Sequence, residues 1–163
     1  MHRLACLLAL AAAALPALPS AALDEALYAG LLRQHTREVN DLARVRVDYA
    51  TVARSADWKK LVTSLAATDP ATLRTRDEQL AFWVNAYNIL AIDLVAANYP
   101  LDSIRDIGSF FAPVWKREAG WIGGKPYSLD QIEHEIVRPM GDPRAHAAVI
   151  CAKIGRASCR ERV

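Results

Sequence analysis

A long apolar segment, Asp77–Asn98, constrains the fold more than any other part of the 163-residue chain. Wound as a helix, it carries apolar residues on almost every side, which is typical of a buried central helix rather than of a surface helix. Asp77 is predicted to cap its N-terminus, and Pro100 requires it to end before the proline. The polar residues inside it would be costly in lipid, so we interpret it as a core helix and not as a membrane span. These polar residues are Asn85, Asn88 and Asp93.

The N-terminus has the layout of a secretory signal peptide. A short positive start is followed by an almost unbroken run of leucine and alanine from Leu4 to Leu18, and then by the small residues Ser20, Ala21 and Ala22. The apolar run is shorter than the ~20 residues that a spanning helix needs. We therefore expect residues 1–22 to be removed after export from a bacterial cytoplasm. The mature chain is expected to be soluble, periplasmic or secreted, and to keep no stable membrane anchor.

The last ten residues, 154–163, have neither apolar periodicity nor capping residues, and they resemble a translated sequencing adapter. On this interpretation the domain is truncated at its C-terminus. Residues 23–153 contain 16 of the 20 Lys and Arg, because Arg3, Arg156, Arg160 and Arg162 lie outside this range. Without Glu161 they keep 17 of the 18 Asp and Glu, so the net charge is −1. No basic stripe remains that would indicate nucleic-acid binding.

The N-terminal part of the remaining chain, residues 23–153, is predicted to contribute short elements to a single domain. Helical spacing of leucines predicts a helix from Leu23 to about Val39, and alternation predicts a short strand over Val45–Tyr49. Asp57 is expected to cap the next helix, and Pro70 to start a short helical turn.

The C-terminal part is predicted to begin with a short helical turn, Ser103–Ile107, and a β-hairpin within Val114–Tyr127, where two glycines and aromatic residues occur. Ser128, with Gln131 three residues later, forms a capping box for a helix that should end near Arg138. The short apolar run Ala145–Ala152 is interpreted as a buried strand.

Two amides in the central helix, Asn85 and Asn88, lie three residues apart and therefore on one face. Each buried amide needs several hydrogen-bond partners. A ligand-facing site and a structural network that ties loops to the helix would both satisfy them, and we favour the network.

The capped helix carries Glu133, His134 and Arg138. His134 is a candidate general base or metal ligand, although a histidine at the core edge, paired with Glu135 or a carbonyl, is the more ordinary interpretation. No HExxH motif or second close histidine supports zinc binding, so we predict no metal and no cofactor.

Cys151 is the only cysteine within residues 23–153 and the only candidate nucleophile. Its apolar neighbours favour a buried structural thiol, because reactivity requires an imidazole or a cation to lower the pKa. On a regular strand Cys151 and His146 would point to opposite faces, so His134 is the better candidate partner. Arg144 is expected to join the polar groups that converge near this strand.

Several motifs together resemble the DUF547 family, a domain of unknown function, over about residues 25–152. They are Val47-Asp48-Tyr49, Leu80-Ala-Phe-Trp-Val-Asn-Ala-Tyr-Asn88, Tyr99-Pro100 with Ser103-Ile104, the stretch from Gly124 to His134, Arg138, Asp142-Pro143-Arg144 with His146, and Cys151-Ala152. Family members continue with a Ser/Cys-Pro motif, which Lys153 and the following residues replace here. The resemblance implies no activity, substrate or cofactor.

We therefore expect a mainly helical α+β domain in which a central buried helix packs with surrounding helices and a small β-hairpin or sheet. The favoured function is an exported binding or envelope-associated module, whose polar cluster is a network or ligand site formed by Asn88, Glu133, Arg138, Arg144 and His146. The alternative is a periplasmic hydrolase or acyl-transfer enzyme with Cys151 as nucleophile, His134 as base and Asn85 as orienting amide.

Overall fold

The computed structural model describes residues 22–40, 45–101, 103–109 and 112–149, without the side chains of His146 and Ala147. Its helices and strands are, in chain order, α1 (Glu25–His35), β1 (Thr36–Glu38), β2 (Val45–Val47), α2 (Tyr49–Arg54), α3 (Ala56–Ala67), α4 (Arg76–Ala97), β3 (Glu118–Ile122), β4 (Lys125–Ser128), α5 (Leu129–Gln131) and α6 (Pro143–Ala148). Short 3-10 turns occupy Pro70–Thr72, Ile104–Ile107 and Val114–Lys116, and a π-helical segment, Ile132–Val137, continues α5 into a last 3-10 turn, Arg138–Met140. The protein is mainly helical with two small antiparallel sheets, as predicted.

The N-cap of the central helix α4 lies two residues before the predicted cap, Asp77. Thr75 is the N-cap: its hydroxyl accepts the backbone N–H of Glu78 at 3.1 Å, and the Glu78 carboxylate accepts the N–H of Thr75 at 3.0 Å. This reciprocal pair satisfies two backbone donors that the first turn leaves free. Asp77 is therefore inside the first turn and not the cap, whereas the predicted C-terminal end before Pro100 is confirmed by the cap at Asn98.

Elements from both ends of the chain pack against α4. Helices α2 and α3 pack against it from the N-terminal part of the chain, and β3, α5, the π-helical segment and α6 pack against it from the C-terminal part. Phe82, Trp83, Tyr87, Ile89 and Leu90 of α4 are buried, and Leu94 is half-buried against the same core. Burial on so many sides explains why the helix lacks an amphipathic pattern.

The N-terminal elements differ from their predicted boundaries. Helix α1 ends at His35, because the next three residues pair as β1 with β2. Tyr49, expected in the strand, instead starts α2 under an Asp48 cap. Ser55, rather than Asp57, caps α3 by accepting the N–H of Trp58 at 3.1 Å.

The predicted hairpin is confirmed as β3 and β4 joined by Gly123 and Gly124. Both glycines have positive φ, 56° and 74°, as a type I′ turn requires. The inner face of the hairpin contacts α4, since a Cβ on Gly120 would lie 2.4 Å from Leu90 Cδ2. The hairpin is thereby fixed to the central helix.

The segment after the hairpin contains one confirmed and one incorrect prediction. The capping box is present, with the Ser128 hydroxyl accepting the N–H of Gln131 at 3.1 Å. The strand predicted over Ala145–Ala152 is wrong as far as the described residues extend, because Pro143–Ala148 is helical. Asp142 caps this helix by accepting the N–H of Arg144 at 2.9 Å, and Pro143 occupies its first turn, where a missing N–H is harmless.

By length and composition, α4 is apolar and long enough to cross a membrane. Half of its most apolar window is buried inside the domain, and a core helix meets the same criteria. These criteria alone are therefore weak evidence for a membrane span.

Candidate functional site

Asn88 connects the central helix to the C-terminal end of α6. Its Nδ2 donates to the carbonyl oxygen of Ala148 at 3.3 Å, across 60 residues of sequence. Its Oδ1 is buried and has no hydrogen-bond partner among the residues that the structure describes. A buried acceptor without a donor is unfavourable by about 1–3 kcal/mol, so this oxygen marks a position where a further donor would be stabilising. Asn85, on the same face, is half-buried.

Glu133 and Arg138 form an ion pair that depends on π-helical geometry. Arg138 Nη2 lies 2.9 Å from Glu133 Oε1, and the Arg138 backbone N–H bonds the carbonyl of Glu133. Bonds from i to i+5 widen the turn and align residues five apart, which an α-helix would not do. Glu133 is only 4% exposed, whereas the Arg138 side chain is 43% exposed, so the guanidinium links a buried carboxylate to the surface.

His134 lies on the outer side of the same segment. Its Nδ1 is 3.2 Å from the Asp130 carbonyl oxygen and 3.4 Å from Asp130 Oδ1, and its side chain is 43% exposed. The carbonyl contact agrees with the more ordinary interpretation of this histidine. These bonds therefore connect His134 to its own helix turn and not to the central helix.

Arg144 forms a local pair at the start of α6. Its Nε and Nη2 lie 3.0 Å and 2.6 Å from the two Asp142 carboxylate oxygens, and its side chain is 82% exposed. The Arg144 guanidinium lowers the pKa of the Asp142 carboxyl to about 2. Because Asp142 is also the cap of α6, this pair stabilises the helix start.

The match to known families covers more than half of the chain. The family described as protein of unknown function, DUF547, matches residues 70–161, or 92 of the 163 residues. The chain belongs to the DUF547 family. No curated protein and no solved structure matches it.

The matched part of the DUF547 domain includes every candidate site residue predicted from the sequence. They are Asn85, Asn88, Glu133, His134, Arg138, Arg144, His146 and Cys151. The match also runs through residues 154–161, and the adapter origin of residues 154–163 stays a prediction.

The structure brings some of these residues together. Asn88 contacts α6, the helix on which Arg144 and His146 lie, and Glu133 contacts Arg138, whereas His134 and Arg144 bond within their own turns. The side chain of His146 and all of Cys151 lie outside the described residues. Convergence around Cys151 accordingly stays a prediction.

Sequence reasoning missed two partly buried polar pairs. His35 Nδ1 lies 2.9 Å from Thr51 Oγ1, and Trp58 Nε1 donates to Asp93 Oδ1 at 3.0 Å. Burial raises the pKa of the Asp93 carboxyl, although the Trp58 bond opposes the shift. The signal for Asp93 was its position inside an apolar helix, which predicts a partner for the carboxylate.

Within the ranges that the structure describes, no group of three or more His, Cys, Asp or Glu side chains could hold a metal ion. The bonds of Asn88, His35 and Trp58 link different helices, whereas those of His134, Arg138 and Arg144 lie within single segments.

Proposed function

We propose that this DUF547 domain is an exported, non-catalytic binding module of the bacterial envelope. The observation that carries the proposal is the environment of His134, whose Nδ1 is held by the Asp130 carbonyl in its own helix turn. A general base must lie within hydrogen-bond reach of the proton that it removes. The bonds of His134 Nδ1 lie within its own helix turn, and its side chain is 43% exposed, which is typical of a surface histidine.

The other candidate residues support the same proposal. Glu133 is neutralised by Arg138, and Asp142 by Arg144, so both carboxylates serve as local structural partners. Both pairs join residues of one chain segment, which suits a structural role. Export is supported by the sequence alone, through the charged start, the apolar run and the small residues before Leu23.

The test is labelling of Cys151 with a thiol-directed electrophile in the full chain, in a Cys159→Ser background that removes the other cysteine of the mature protein. A binding module predicts labelling at an ordinary thiol rate, unchanged by His134→Ala. The matched control is Glu135→Ala, which removes an exposed neighbour on the same segment. Labelling that is fast in wild type and falls about tenfold or more only in His134→Ala would overturn the proposal.

One observation favours the second candidate, a periplasmic Cys-His hydrolase or acyl-transfer enzyme. Asn88 Nδ2 donates to the carbonyl of Ala148, which lies three residues before Cys151 in sequence. Within the described residues, the buried Asn88 Oδ1 has no hydrogen-bond partner. In that mechanism His134 takes the proton of the Cys151 thiol, and the thiolate attacks an acyl carbon. The bond to the leaving group breaks, and the leaving group takes the proton back from His134, while an amide from α4 orients the imidazole. Asn88, rather than Asn85, is then the better candidate for the amide. Loss of fast thiol labelling in Asn88→Ala at unchanged thermal stability would support this candidate.

A further inference from the structure

The outer face of the β3–β4 hairpin, defined here as Glu118, Trp121 and Pro126, carries an exposed tryptophan with a fixed orientation. Trp121 is 48% exposed, and only one other large hydrophobic residue of the described chain, Val45, is comparably exposed. Trp121 Nε1 donates to Glu118 Oε1 at 2.9 Å, and Pro126 lies directly across the ladder from Trp121. The indole N–H is therefore used internally, and the aromatic ring is what a partner can contact.

Two features make this face rigid. The inner face of the hairpin is held by Tyr127, whose ring lies edge-on to Trp83 at 5.3 Å, and by Gly120 against Leu90. A register shift between Glu118 and Gly120 inserts one residue into β3, which turns Glu118 towards the side of Trp121. A prearranged surface loses less conformational entropy on binding than a mobile one.

The charge on this face is negative. The two charged residues of the strands are Glu118 and Lys125, and register pairs Lys125 with the buried Ile122, on the opposite face. Just before β3, Arg117 donates to the Ile107 carbonyl at 2.6 Å, which links its guanidinium to the Ile104–Ile107 turn. Lys116 precedes it in a 3-10 turn. The face of an indole is itself the negative side of its quadrupole, so the ring and the carboxylate attract the same sign of charge.

We propose that the outer hairpin face binds an arginine or lysine side chain of a partner polypeptide. The cation lies over the Trp121 ring and pairs with the free oxygen of Glu118, while Pro126 extends the apolar contact. A guanidinium fits best, because it stacks on aromatic rings and is weakly hydrated. A neutral sugar could stack on the ring but would gain nothing from the Glu118 charge. This inference rests on the proposed binding function and names the chemistry of its partner.

The test uses a fluorescently labelled triarginine peptide and its uncharged isostere, tricitrulline, with the full chain. Fluorescence anisotropy should give weak, salt-sensitive binding of triarginine and much weaker binding of tricitrulline. Trp121→Ala should weaken triarginine binding about fivefold. Glu118→Gln, which keeps an acceptor for the indole N–H but removes the charge, should weaken it about threefold. Val45→Ala, the matched exposed control, should bind like wild type.

A second measurement locates the site. The chain has four tryptophans, so its nitrogen–proton NMR spectrum contains four indole signals at most, and Trp121→Phe identifies one of them. Triarginine should shift that signal, while triacetylchitotriose and anionic phospholipid vesicles should not. Equal binding of tricitrulline, unchanged affinity in Trp121→Ala, or a shift with the sugar or vesicles alone would overturn the inference. Fast labelling of Cys151 would instead contradict the proposed function, so the two failures are distinguishable.

Discussion

Trp83 is the residue whose removal should damage the fold most clearly. Its ring lies edge-on to Phe82 at 5.4 Å and to Tyr127 at 5.3 Å, and it is 7% exposed. Trp83→Ala should lower the free energy of unfolding by ~3–5 kcal/mol, the usual range for deleting a large buried aromatic. Urea unfolding followed by circular dichroism measures the change. Trp121→Ala is the control and should change stability by less than about 0.5 kcal/mol, as exposed substitutions do. A Trp83→Ala variant that melts within a degree or two of wild type would contradict the buried position.

Asp93 should make the free energy of unfolding depend on pH, and the substitution Asp93→Asn should remove this dependence. Burial raises the pKa of its carboxyl in the folded state above the ordinary value of 3.8, so the folded state binds the proton more tightly than the unfolded state. The contribution of Asp93 to stability is therefore most favourable below the unfolded pKa and is lost as pH rises through the folded pKa. Asp93→Asn keeps an oxygen that can accept from Trp58 and removes the charge.

The Asp93→Asn variant should be at least as stable as wild type near neutrality. Its advantage should be smaller at about pH 4, because the pKa of the Asp93 carboxyl is raised and the group takes up a proton as pH falls. Urea unfolding at the two pH values measures the difference, with Asp57→Asn as an exposed control. If the stability of Asp93→Asn relative to wild type increased as pH falls, the raised pKa of Asp93 would be contradicted.

At the level of elements, two substitutions at the start of α4 test which residue caps this helix. Thr75→Ala removes the hydroxyl that accepts the Glu78 N–H and should destabilise the domain by about 1 kcal/mol. Asp77→Ala removes only an acidic residue of the first turn and should have an effect of about 0.3 kcal/mol through the helix dipole. Thermal unfolding of both variants measures how much stability each one loses. A larger effect for Asp77→Ala would restore Asp77 as the cap.

The elements that sequence reasoning found are those with strong local signals. The apolar content of α4, the two glycines of the hairpin and the Ser128 capping box each act over a few residues. At the start of α4, Thr75 and Asp77 are both good caps, and the glutamate three residues after Thr75 was the deciding signal. The run from Ala145 was misread because a short apolar stretch fits a strand or a helix equally, whereas Asp142 and Pro143 before it favour a helix.

The candidate site was predictable only in part. Helical spacing correctly grouped Asn85 and Asn88 on one helix, because α4 is regular. The pairing of Glu133 with Arg138 was not predictable, since it depends on bonds from i to i+5 that no local sequence preference specifies. The contact of Asn88 with Ala148 joins elements 60 residues apart, and only tertiary packing determines such a contact.

For the whole molecule, the N-terminal sequence predicts export and the position of signal-peptide cleavage. Expressed in a Gram-negative host, the chain should be recovered from the periplasm with Leu23 as its first residue, because Ser20, Ala21 and Ala22 match the preference of signal peptidase. N-terminal sequencing of the periplasmic fraction measures this. Leu4→Arg together with Leu8→Arg should retain the precursor in the cytoplasm. Cytoplasmic wild-type protein with an intact Met1 would reject export.

The helices before residue 70 cover one side of α4 and lie outside the stretch matched to the family. They place Val52, Trp58, Leu61 and Leu65 in the core, each 2% exposed or less. A polypeptide that starts at residue 70 would therefore leave the apolar surface of α4 open to water and should aggregate when produced alone. Co-expression with a separate peptide of residues 23–69 should rescue its solubility by fragment complementation, and Leu61→Asp in that peptide should abolish the rescue. The junction near residue 70 is accordingly a natural position for a split-protein reporter.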